Sequence, residues 1–286
     1  MRTVAYLIHE NSPLQENFAQ MKVQYLDPTI LPEAQAQQNN PDDLCYVIEG
    51  LLDLALMNSS IHAFDARLAA CQCLESYFAG NQPVRLHFLN HAINLHAQGD
   101  ESANVLTCLI SLDQDSRGDP YRVWLASVIF LHLIYNDEEA KNLATSFKEG
   151  DADAGEEVVT AIQSISANLV AALEHNYDPR IIIGYLMLLC TWLYEDSPAV
   201  DDFLNEASSV QSLVSTVKQS SNSNVLIQGL CAFFLGVLYE FSHKDSPLPR
   251  CTLHRPTLGG VCGANCAQGH STSNPGKSNG ARSLRQ

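Results

Sequence analysis

Positive charge is scarce in this chain. Its 286 residues include 16 lysines and arginines against 32 aspartates and glutamates, a formal net charge of −16. All the acidic residues precede position 251, and the 12 basic residues there leave residues 1–250 with a net charge of −20. Phosphates and bare anionic lipid repel a protein segment with this much negative charge, which argues against nucleic-acid binding. The charge favours protein partners, although a merely solvated acidic surface would explain much of it.

The chain also lacks an obvious membrane span in its most apolar stretches. The uncharged run from Ile181 to Tyr194 has 14 residues, a helical rise of about 21 Å, whereas a bilayer core needs about 20 apolar residues. The run is also far longer than a typical strand of about 5–6 residues. Asp178 and Pro179 are typical of an N-cap and a first helical position. We therefore predict a helix buried nearly all round by other helices.

No signal-peptide pattern is present at the N-terminus, because His9 and Glu10 interrupt its short apolar patch. We therefore expect a cytosolic protein. Cysteine usage agrees, since six of the nine cysteines lie within apolar helical patterns, where reduced cysteines act as small core residues. These six are Cys45, Cys71, Cys73, Cys108, Cys190 and Cys231.

Catalytic motifs are missing as well. The chain contains no G-x-S-x-G, H-E-x-x-H or G-x-G-x-x-G pattern. The GKS at 276–278 lacks the glycine that a phosphate loop needs at position 271, which is Ser271. His87, His91 and His96 lie near one helix face without a carboxylate or thiol at ligand spacing, so we interpret them as solvated or packing residues. The sequence predicts no enzyme and no cofactor.

A cysteine- and histidine-bearing tail has the residue types of a zinc site but not its spacing. Its residues are Cys251, His254, Cys262, Cys266 and His270, in a Gly-, Ser- and Asn-rich segment. The x3 spacing matches known zinc patterns poorly, and no apolar residues are available to form a small folded knuckle. We therefore expect no metal site, and the change of charge and composition at 251 predicts a disordered tail or a mis-joined reading frame.

Other polar and aromatic residues receive structural interpretations. The pairs Asp65 with Arg67 and Asp178 with Arg180 are expected to cap and neutralise helix starts. Trp124 and Trp192 lie within apolar runs, so we expect core residues. The SPLQ at 12–15 predicts a capping box.

Helical periodicity recurs along the chain, and no convincing alternating strand is present. After a short helical segment within 1–22, the predicted helices cover 41–57, 61–79, 83–98, 102–112, 119–136, 137–148, 155–176, 178–195, 198–219 and 223–242. The longer connectors, at 27–40 and 148–155, are polar. The sequence therefore predicts an all-α fold.

Four of these helices resemble one another and recur at long intervals. They cover 64–78, 119–137, 178–196 and 224–241. Successive members follow at 54, 59 and about 45 residues, measured from equivalent aspartates or tyrosines. A repeat that cannot cover its own apolar face must stack on its neighbours, which predicts an armadillo-like α-solenoid of degenerate repeats. A compact helical bundle is the alternative.

Ordered blocks of sequence resemble the head domain of the Uso-type vesicle-tethering factors, or general vesicular transport factors. These blocks are CQCLESYFAGN at 71–81, YRVWLASVIFLHL at 121–133, GYLMLLCTWLYEDSPAVDDFL at 184–204 and LIQGLCAFFLGVLYEF at 226–241. The resemblance covers roughly 40–254. It implies an armadillo-like head domain over 1–254, with 255–286 as a disordered or aberrant tail.

The resemblance also implies a function. In that family the head precedes a dimeric coiled coil, and the whole protein tethers transport vesicles to Golgi membranes with Rab GTPases, SNAREs and golgins. This chain has no heptad region, so the dimerising coiled coil is absent, and further repeats are expected to precede this part of the head. We expect a cytoplasmic, non-enzymatic docking module, peripheral on Golgi membranes and ER-derived vesicles through its protein partners.

The sequence leaves two other functions open. One is a generic armadillo or HEAT-type scaffold, such as a transport receptor that binds basic peptides along a groove, although the expected ladder of groove Asn and Trp is missing. The other is an enzyme with a zinc-bearing tail. The sequence does not locate the partner surface, and the acidic segments Asp113–Asp119 and Asp151–Glu157 are the candidates it offers.

Overall fold

The fold is known from a computed structural model that describes residues 1–24, 44–57, 63–112, 118–150, 155, 157–219 and 224–243. These residues form thirteen helices and four very short strands. The elements in chain order are α1 (Arg2–Ile8), α2 (Ser12–Gln20), β1 (Lys22–Gln24), β2 (Leu44–Tyr46), α3 (Val47–Leu56), α4 (Phe64–Phe78), α5 (Gln82–Ala97), α6 (Val105–Ile110), α7 (Pro120–Ile134), α8 (Glu138–Ser146), β3 (Lys148–Glu149), β4 (Val159–Thr160), α9 (Ala161–Glu174), α10 (Pro179–Trp192), α11 (Ser197–Leu204), α12 (Ala207–Lys218) and α13 (Val225–Phe241).

The predicted helix starts at the two Asp-Pro sequences are confirmed. The Asp178 carboxylate accepts a hydrogen bond from the Arg180 amide at 2.9 Å, and Asp119 accepts one from the Tyr121 amide at 3.2 Å. In both helices a proline occupies the first turn, where no amide donor is needed. Local sequence therefore determines where α7 and α10 begin.

The four similar helices pack in sequence order, and we call them, with α1 before them, the pillars. Helix α1 packs on α4, α4 on α7, α7 on α10, and α10 on α13. A Cβ atom at Gly184 of α10 would lie 3.0 Å from Ser127 Oγ and 3.3 Å from Trp124 Cα of α7. Because α7 and α10 approach so closely, a side chain at this position of α10 would be crowded by α7.

Burial along the pillars is continuous. One hydrophobic cluster contains buried side chains from α1 through to α13. Tyr185, Leu189 and Trp192 of α10 are fully buried, as expected for a helix between two neighbouring pillars. None of the described helices is both long enough and apolar enough to cross a membrane. The all-α solenoid prediction, with a shared interior, is confirmed.

The prediction that the chain lacks strands was wrong in detail. Strand β1 pairs antiparallel with β2, and β3 pairs antiparallel with β4. As a result the helix predicted from residue 41 begins at Val47, and the helix predicted from 155 begins at Ala161. Strands of two or three residues are too short to show an alternating pattern, and each is formed by pairing with a partner elsewhere in the chain.

Two further helix predictions need correction. The helix predicted over 198–219 divides into α11 and α12, because the Asn205 amide bonds to the carbonyls of both Asp201 and Asp202 and ends α11. The capping box at 12–15 does not form. Asn11 caps α2 by accepting from the Leu14 amide at 3.4 Å, which leaves Gln15 available for other partners.

The six cysteines within the described residues are all thiols. Five of them lie in helices as predicted, whereas Cys45 lies in strand β2 and is half-buried. Burial raises the pKa of Cys190 to about 12 and that of Cys231 to about 11. Such thiols are poor nucleophiles near neutral pH, which is consistent with packing roles.

Candidate protein-interaction surface

Four turns that follow pillars α1, α4, α7 and α10 share one construction. Each contains a residue in the left-handed backbone region, followed directly by an Asn or Asp that caps the next helix. The left-handed residues are Glu10 (φ 53°), Gly80 (67°), Asn136 (51°) and Glu195 (55°). The caps are Asn11, Asn81, Asp137 and Asp196, each of which accepts a hydrogen bond from an amide three residues on. The repeat unit is thus defined more sharply by its turns than by its helices.

A side chain four residues after each of the first three caps reaches the next turn. Gln15 Nε2 donates to the Ala79 carbonyl at 2.8 Å. Arg85 Nη1 donates to the Tyr135 carbonyl at 3.0 Å, and Lys141 Nζ donates to the Tyr194 carbonyl at 2.8 Å. Each acceptor lies two residues before the next cap, so three equivalent hydrogen bonds join the four turns in the same register.

We call the bonds from Gln15, Arg85 and Lys141 to the carbonyls of the next turn the ladder. Two further hydrogen bonds reinforce it. Asn81 Nδ2 donates to Gln15 Oε1 at 2.9 Å, and Gln82 Nε2 donates to Asp137 Oδ1 at 3.2 Å. Burial lowers the pKa of the Lys141 ammonium, and the nearby carboxylates Asp196 and Glu195 oppose this shift. The electrostatic environment of a ladder donor is therefore set by the two layers between which it lies.

The fourth step of the ladder has different chemistry. Asp201, five residues after the cap Asp196, accepts from the His243 amide at 3.5 Å and also pairs with the His243 ring. The direction of donation is reversed, because the later turn now supplies the donor. Residues 9–11, 79–81, 135–137 and 194–196, which we call the turn ridge, thus form a regular edge of the stacked layers.

Aromatic and acidic side chains are exposed on the turn ridge. The Tyr135 side chain is 61% exposed and Tyr194 is 50% exposed, and Glu195 beside Tyr194 is also exposed. The Tyr194 ring meets Phe241 edge-on, with centroids 4.9 Å apart, so it is held in place rather than free. Exposed tyrosines offer apolar area and a polar tip and are enriched in protein interfaces. The turn ridge is therefore the best candidate surface for a protein partner.

The two tryptophans and three histidines singled out in the sequence serve packing or face solvent. Trp192 is buried and donates from Nε1 to Thr145 Oγ1 at 3.0 Å, while Trp124 of α7 is half-buried against the core. His87 and His91 are exposed. His96 contacts Thr107 Oγ1 through Nδ1 at 2.8 Å and Glu149 Oε1 through Nε2 at 2.6 Å. No group of three potential metal ligands occurs within the described residues.

One polar pair was assigned correctly and the other was not. Arg180 pairs with Asp178 at 3.5 Å at the start of α10, as predicted. Arg67 does not neutralise its own helix start. Its Nη2 lies 2.7 Å from Asp119 Oδ2 of the next layer, as an ion pair without hydrogen-bond alignment, and its Nε donates to the Ala55 carbonyl at 3.0 Å.

A sequence signal for the buried arginine did exist. Arg67 occupies the same stripe of α4 as Ala70, Cys71 and Leu74, which are all buried. Spacings of three, four and seven residues place a charged side chain on the apolar face. A charge on that face requires a buried partner, and the partner belongs to another layer.

The acidic segments proposed from the sequence are mostly outside the described residues. In Asp113–Asp119, the described Asp119 is buried in its pair with Arg67 and is not a surface for a partner. In Asp151–Glu157, only residues 155 and 157 are described. The tail residues Cys251, His254, Cys262, Cys266 and His270 and the GKS at 276–278 also lie outside the described residues.

Comparison with known proteins identifies close relatives of this arrangement. The family model described as "Uso1 / p115 like vesicle tethering protein, head region" matches residues 11–258. The crystal structure of Uso1-1 superimposes with a TM-score of 0.73 at 31% sequence identity, covering 86% of this chain and 36% of that one.

Curated relatives agree with the family model. Intracellular protein transport protein USO1 of Saccharomyces cerevisiae is 29% identical over 289 residues, which cover 87% of this chain and 16% of the relative. The human general vesicular transport factor p115 is 28% identical over 192 residues, which cover 64% of this chain and 18% of the relative. The chain thus spans less than a fifth of the length of either protein. On this evidence the chain belongs to the Uso1/p115-like family of vesicle tethering proteins and matches part of their head region.

Proposed function

We propose that this chain is a non-enzymatic vesicle-tethering head module that acts in intracellular protein transport. Its role is the docking of ER-derived vesicles and their fusion with Golgi membranes. The observation that carries the proposal is the match of residues 11–258 to the head-region family, and this family is not an enzyme class. The relatives are named for intracellular protein transport and general vesicular transport, and the stacked helical layers support a common role.

The mechanism is recruitment through protein–protein contacts. A Rab GTPase, a SNARE or a golgin binds the stacked layers, so the module is peripheral to the Golgi and vesicle membranes and faces the cytoplasm. Holding a vesicle-bound partner near the target membrane raises its effective local concentration without any chemical step. We assign this head module to residues 1–254 and regard 255–286 as a separate tail.

The turn ridge is the surface we assign to partner binding. It carries two large, half-exposed tyrosine rings on neighbouring layers, and such residues dominate binding energy in many interfaces. The backbone that carries the rings is held by the ladder, since Arg85 and Lys141 bind the Tyr135 and Tyr194 carbonyls. A partner that lies along the ridge can therefore meet both rings without reordering the backbone.

Pull-down of Golgi Rab and SNARE proteins by the full chain tests the proposal. The variant Tyr135→Ala/Tyr194→Ala should lose at least about ten-fold in affinity, the cost of about 1.4 kcal/mol. Tyr6→Ala is the matched control, because Tyr6 is 86% exposed on α1 and lies off the ridge. Failure of the unmodified chain to capture any Rab, SNARE or golgin overturns the function. Capture that the double variant leaves unchanged overturns the ridge assignment alone.

A further inference from the structure

The pillars α4, α7 and α10 contact one another near their first residues through side chains that face outward. The rings of Phe64 and Tyr121 lie with their centroids 4.6 Å apart. The guanidinium carbon of Arg180 lies 4.6 Å from the centre of the same Tyr121 ring. Phe64 and Tyr121 are half-buried and Arg180 is exposed, so this row of contacts lies on the outside of the stack.

A second set of contacts lies near the last residues of the pillars. Glu75 Oε1 of α4 lies 3.7 Å from His132 Nε2 of α7. The Tyr194 ring after α10 meets Phe241 of α13, as described above. These contacts fix the register of each pillar on the next. Residues one or two turns inside them therefore lie at the same level of the stack.

Apolar side chains occupy this middle level on the outward faces of all four pillars. Phe233 is 62% exposed and Met187 is 36% exposed, and the other members are half-buried. A spacing of four residues keeps Ile183 and Met187 on one face of α10. Exposed apolar side chains that adjoin one another, rather than being scattered singly, are typical of interaction sites. The members of this surface, which we call the apolar band, are Leu68, Trp124, Val128, Ile183, Met187 and Phe233.

Carboxylates border the apolar band on both sides. Asp65 lies before the band on α4, Glu75 lies beyond it on the same helix, and Glu240 lies beyond it on α13. Arg180 also lies at the border, where it is paired with Asp178. The strong net negative charge given above repels anionic lipid and a second copy of the chain, and it attracts basic side chains. The band therefore suits a partner whose apolar stripe is flanked by lysine or arginine.

The spacing of the pillars indicates which backbone conformation fits the band. The axes of packed helices lie about 8–10 Å apart, so a ligand that crosses the pillars meets a new set of apolar side chains about every 10 Å. Seven residues of α-helix rise about 10.5 Å and return to nearly the same face. A strand returns to the same face about every 7 Å, which does not match. A polyproline helix repeats about every 9.3 Å, but it is recognised by aromatic-lined grooves, and four of the six band residues are aliphatic.

We propose that the apolar band binds an amphipathic helix of a partner protein. The helix lies across the pillars, places apolar side chains from each successive heptad on the next pillar, and carries basic side chains beside its apolar stripe. Four pillars span three intervals, or about 30 Å, which corresponds to about 20 helical residues. The band is a different surface from the turn ridge.

Fluorescence anisotropy with a labelled synthetic peptide and the full chain tests this proposal. The peptide is a helix of about 21 residues, with leucines at two positions of each heptad and lysines beside them. The unmodified chain should bind it, and Met187→Lys should weaken binding at least about ten-fold, because it places a cation against a basic ligand. Met187→Gln, which adds no charge, should weaken binding less. Val217→Lys is the matched control and should bind like the unmodified chain, because Val217 is also 36% exposed but lies on α12, which is not a pillar.

Peptide variants separate the parts of the argument. A peptide of the same composition with its leucines scattered around the helix, and one with glutamates in place of the lysines, should each bind at least about ten-fold more weakly. Circular dichroism of the Met187 variants should match that of the parent, because the altered side chain faces outward.

Several results would overturn the proposal. They are an unmodified chain that does not bind the peptide, equal binding of either altered peptide or of a proline-rich peptide, and equal affinities for Met187→Lys and Val217→Lys. An affinity that weakens as the chain is concentrated would show that a second copy fills the band, and this also overturns it. The assay contains no Rab, SNARE or golgin, so its failure leaves the proposed function standing.

Discussion

The buried ion pair between Arg67 and Asp119 should be among the most sensitive sites in the molecule. The side chains are 2% and 9% exposed, and Arg67 Nη2 lies 2.7 Å from Asp119 Oδ2. The pair joins α4 to the start of α7, and Arg67 Nε also binds the Ala55 carbonyl at the end of α3. Its loss therefore affects three helices at once.

Arg67→Met removes the positive charge and keeps most of the side-chain volume. It leaves the Asp119 carboxylate buried without its partner, and breaking one side of such a pair costs about 3–5 kcal/mol of the free energy of unfolding. Asp119→Asn removes the negative charge but keeps an oxygen that can cap α7. The change in its free energy of unfolding therefore reports the loss of the charge and not the loss of the cap. Combining both changes should cost less than their sum, because the double variant leaves no unpaired charge.

Urea unfolding, followed by circular dichroism and by the fluorescence of Trp124 and Trp192, measures these costs. The control is Arg180→Met, which alters the same Asp-x-Arg sequence where the pair is about half exposed and the atoms are 3.5 Å apart. An exposed pair contributes only about 0–1 kcal/mol. If Arg67→Met and Arg180→Met cost the same within error, or if the double variant is fully additive, the reasoning about burial is refuted.

Three more predictions concern the ladder, the contact between two pillars and a buried thiol. Gln15→Leu should lower the free energy of unfolding by about 2–4 kcal/mol, because it leaves two carbonyls and an amide without their partner, whereas Gln20→Leu on the exposed side of α2 should change it by less than about 0.5 kcal/mol. Gly184→Ala should cost about 1–3 kcal/mol by overpacking, while Gly229→Ala, where an added Cβ atom would meet nothing within 4 Å, should stabilise the protein by about 0.5–1 kcal/mol. Burial raises the pKa of Cys190 from 9.0 to about 12, so stability should fall as pH rises through that interval, and Cys190→Ala should show a shallower fall. Denaturant titrations of each variant and its control measure these differences, and equal values for a variant and its control would contradict the structural reason given.

Much of the fold follows from local sequence. The Asp-Pro starts of α7 and α10 and the uncharged runs behind them predict helices whose caps form within three residues along the chain. The resemblance to tether heads rests on the same segments and agrees with the family match over 11–258. Helices of this kind could be predicted because every interaction that starts them lies within one turn.

Interactions between layers could not be predicted in this way. Asn11 and Ser12 are both good capping residues. A capping box at Ser12 would use the Gln15 side chain, which instead binds the carbonyls of Ser76 and Ala79 more than 60 residues away. Arg67 has an aspartate two residues before it, yet its partner is Asp119. The ladder that supports the turn ridge uses Gln, Arg and Lys at equivalent positions, and these share only the ability to donate a hydrogen bond.

The sequence by itself determined which segments are helices, which of them are buried on several sides, and that the chain is acidic and belongs with helical tether heads. Only the tertiary structure decided which polar groups pair across layers, which tyrosines remain exposed and which face of α13 is left uncovered. The physical reason is distance along the chain. A helix and its cap are satisfied by residues within one turn, whereas a buried charge or carbonyl is satisfied by whichever residue the stacking of layers brings to it.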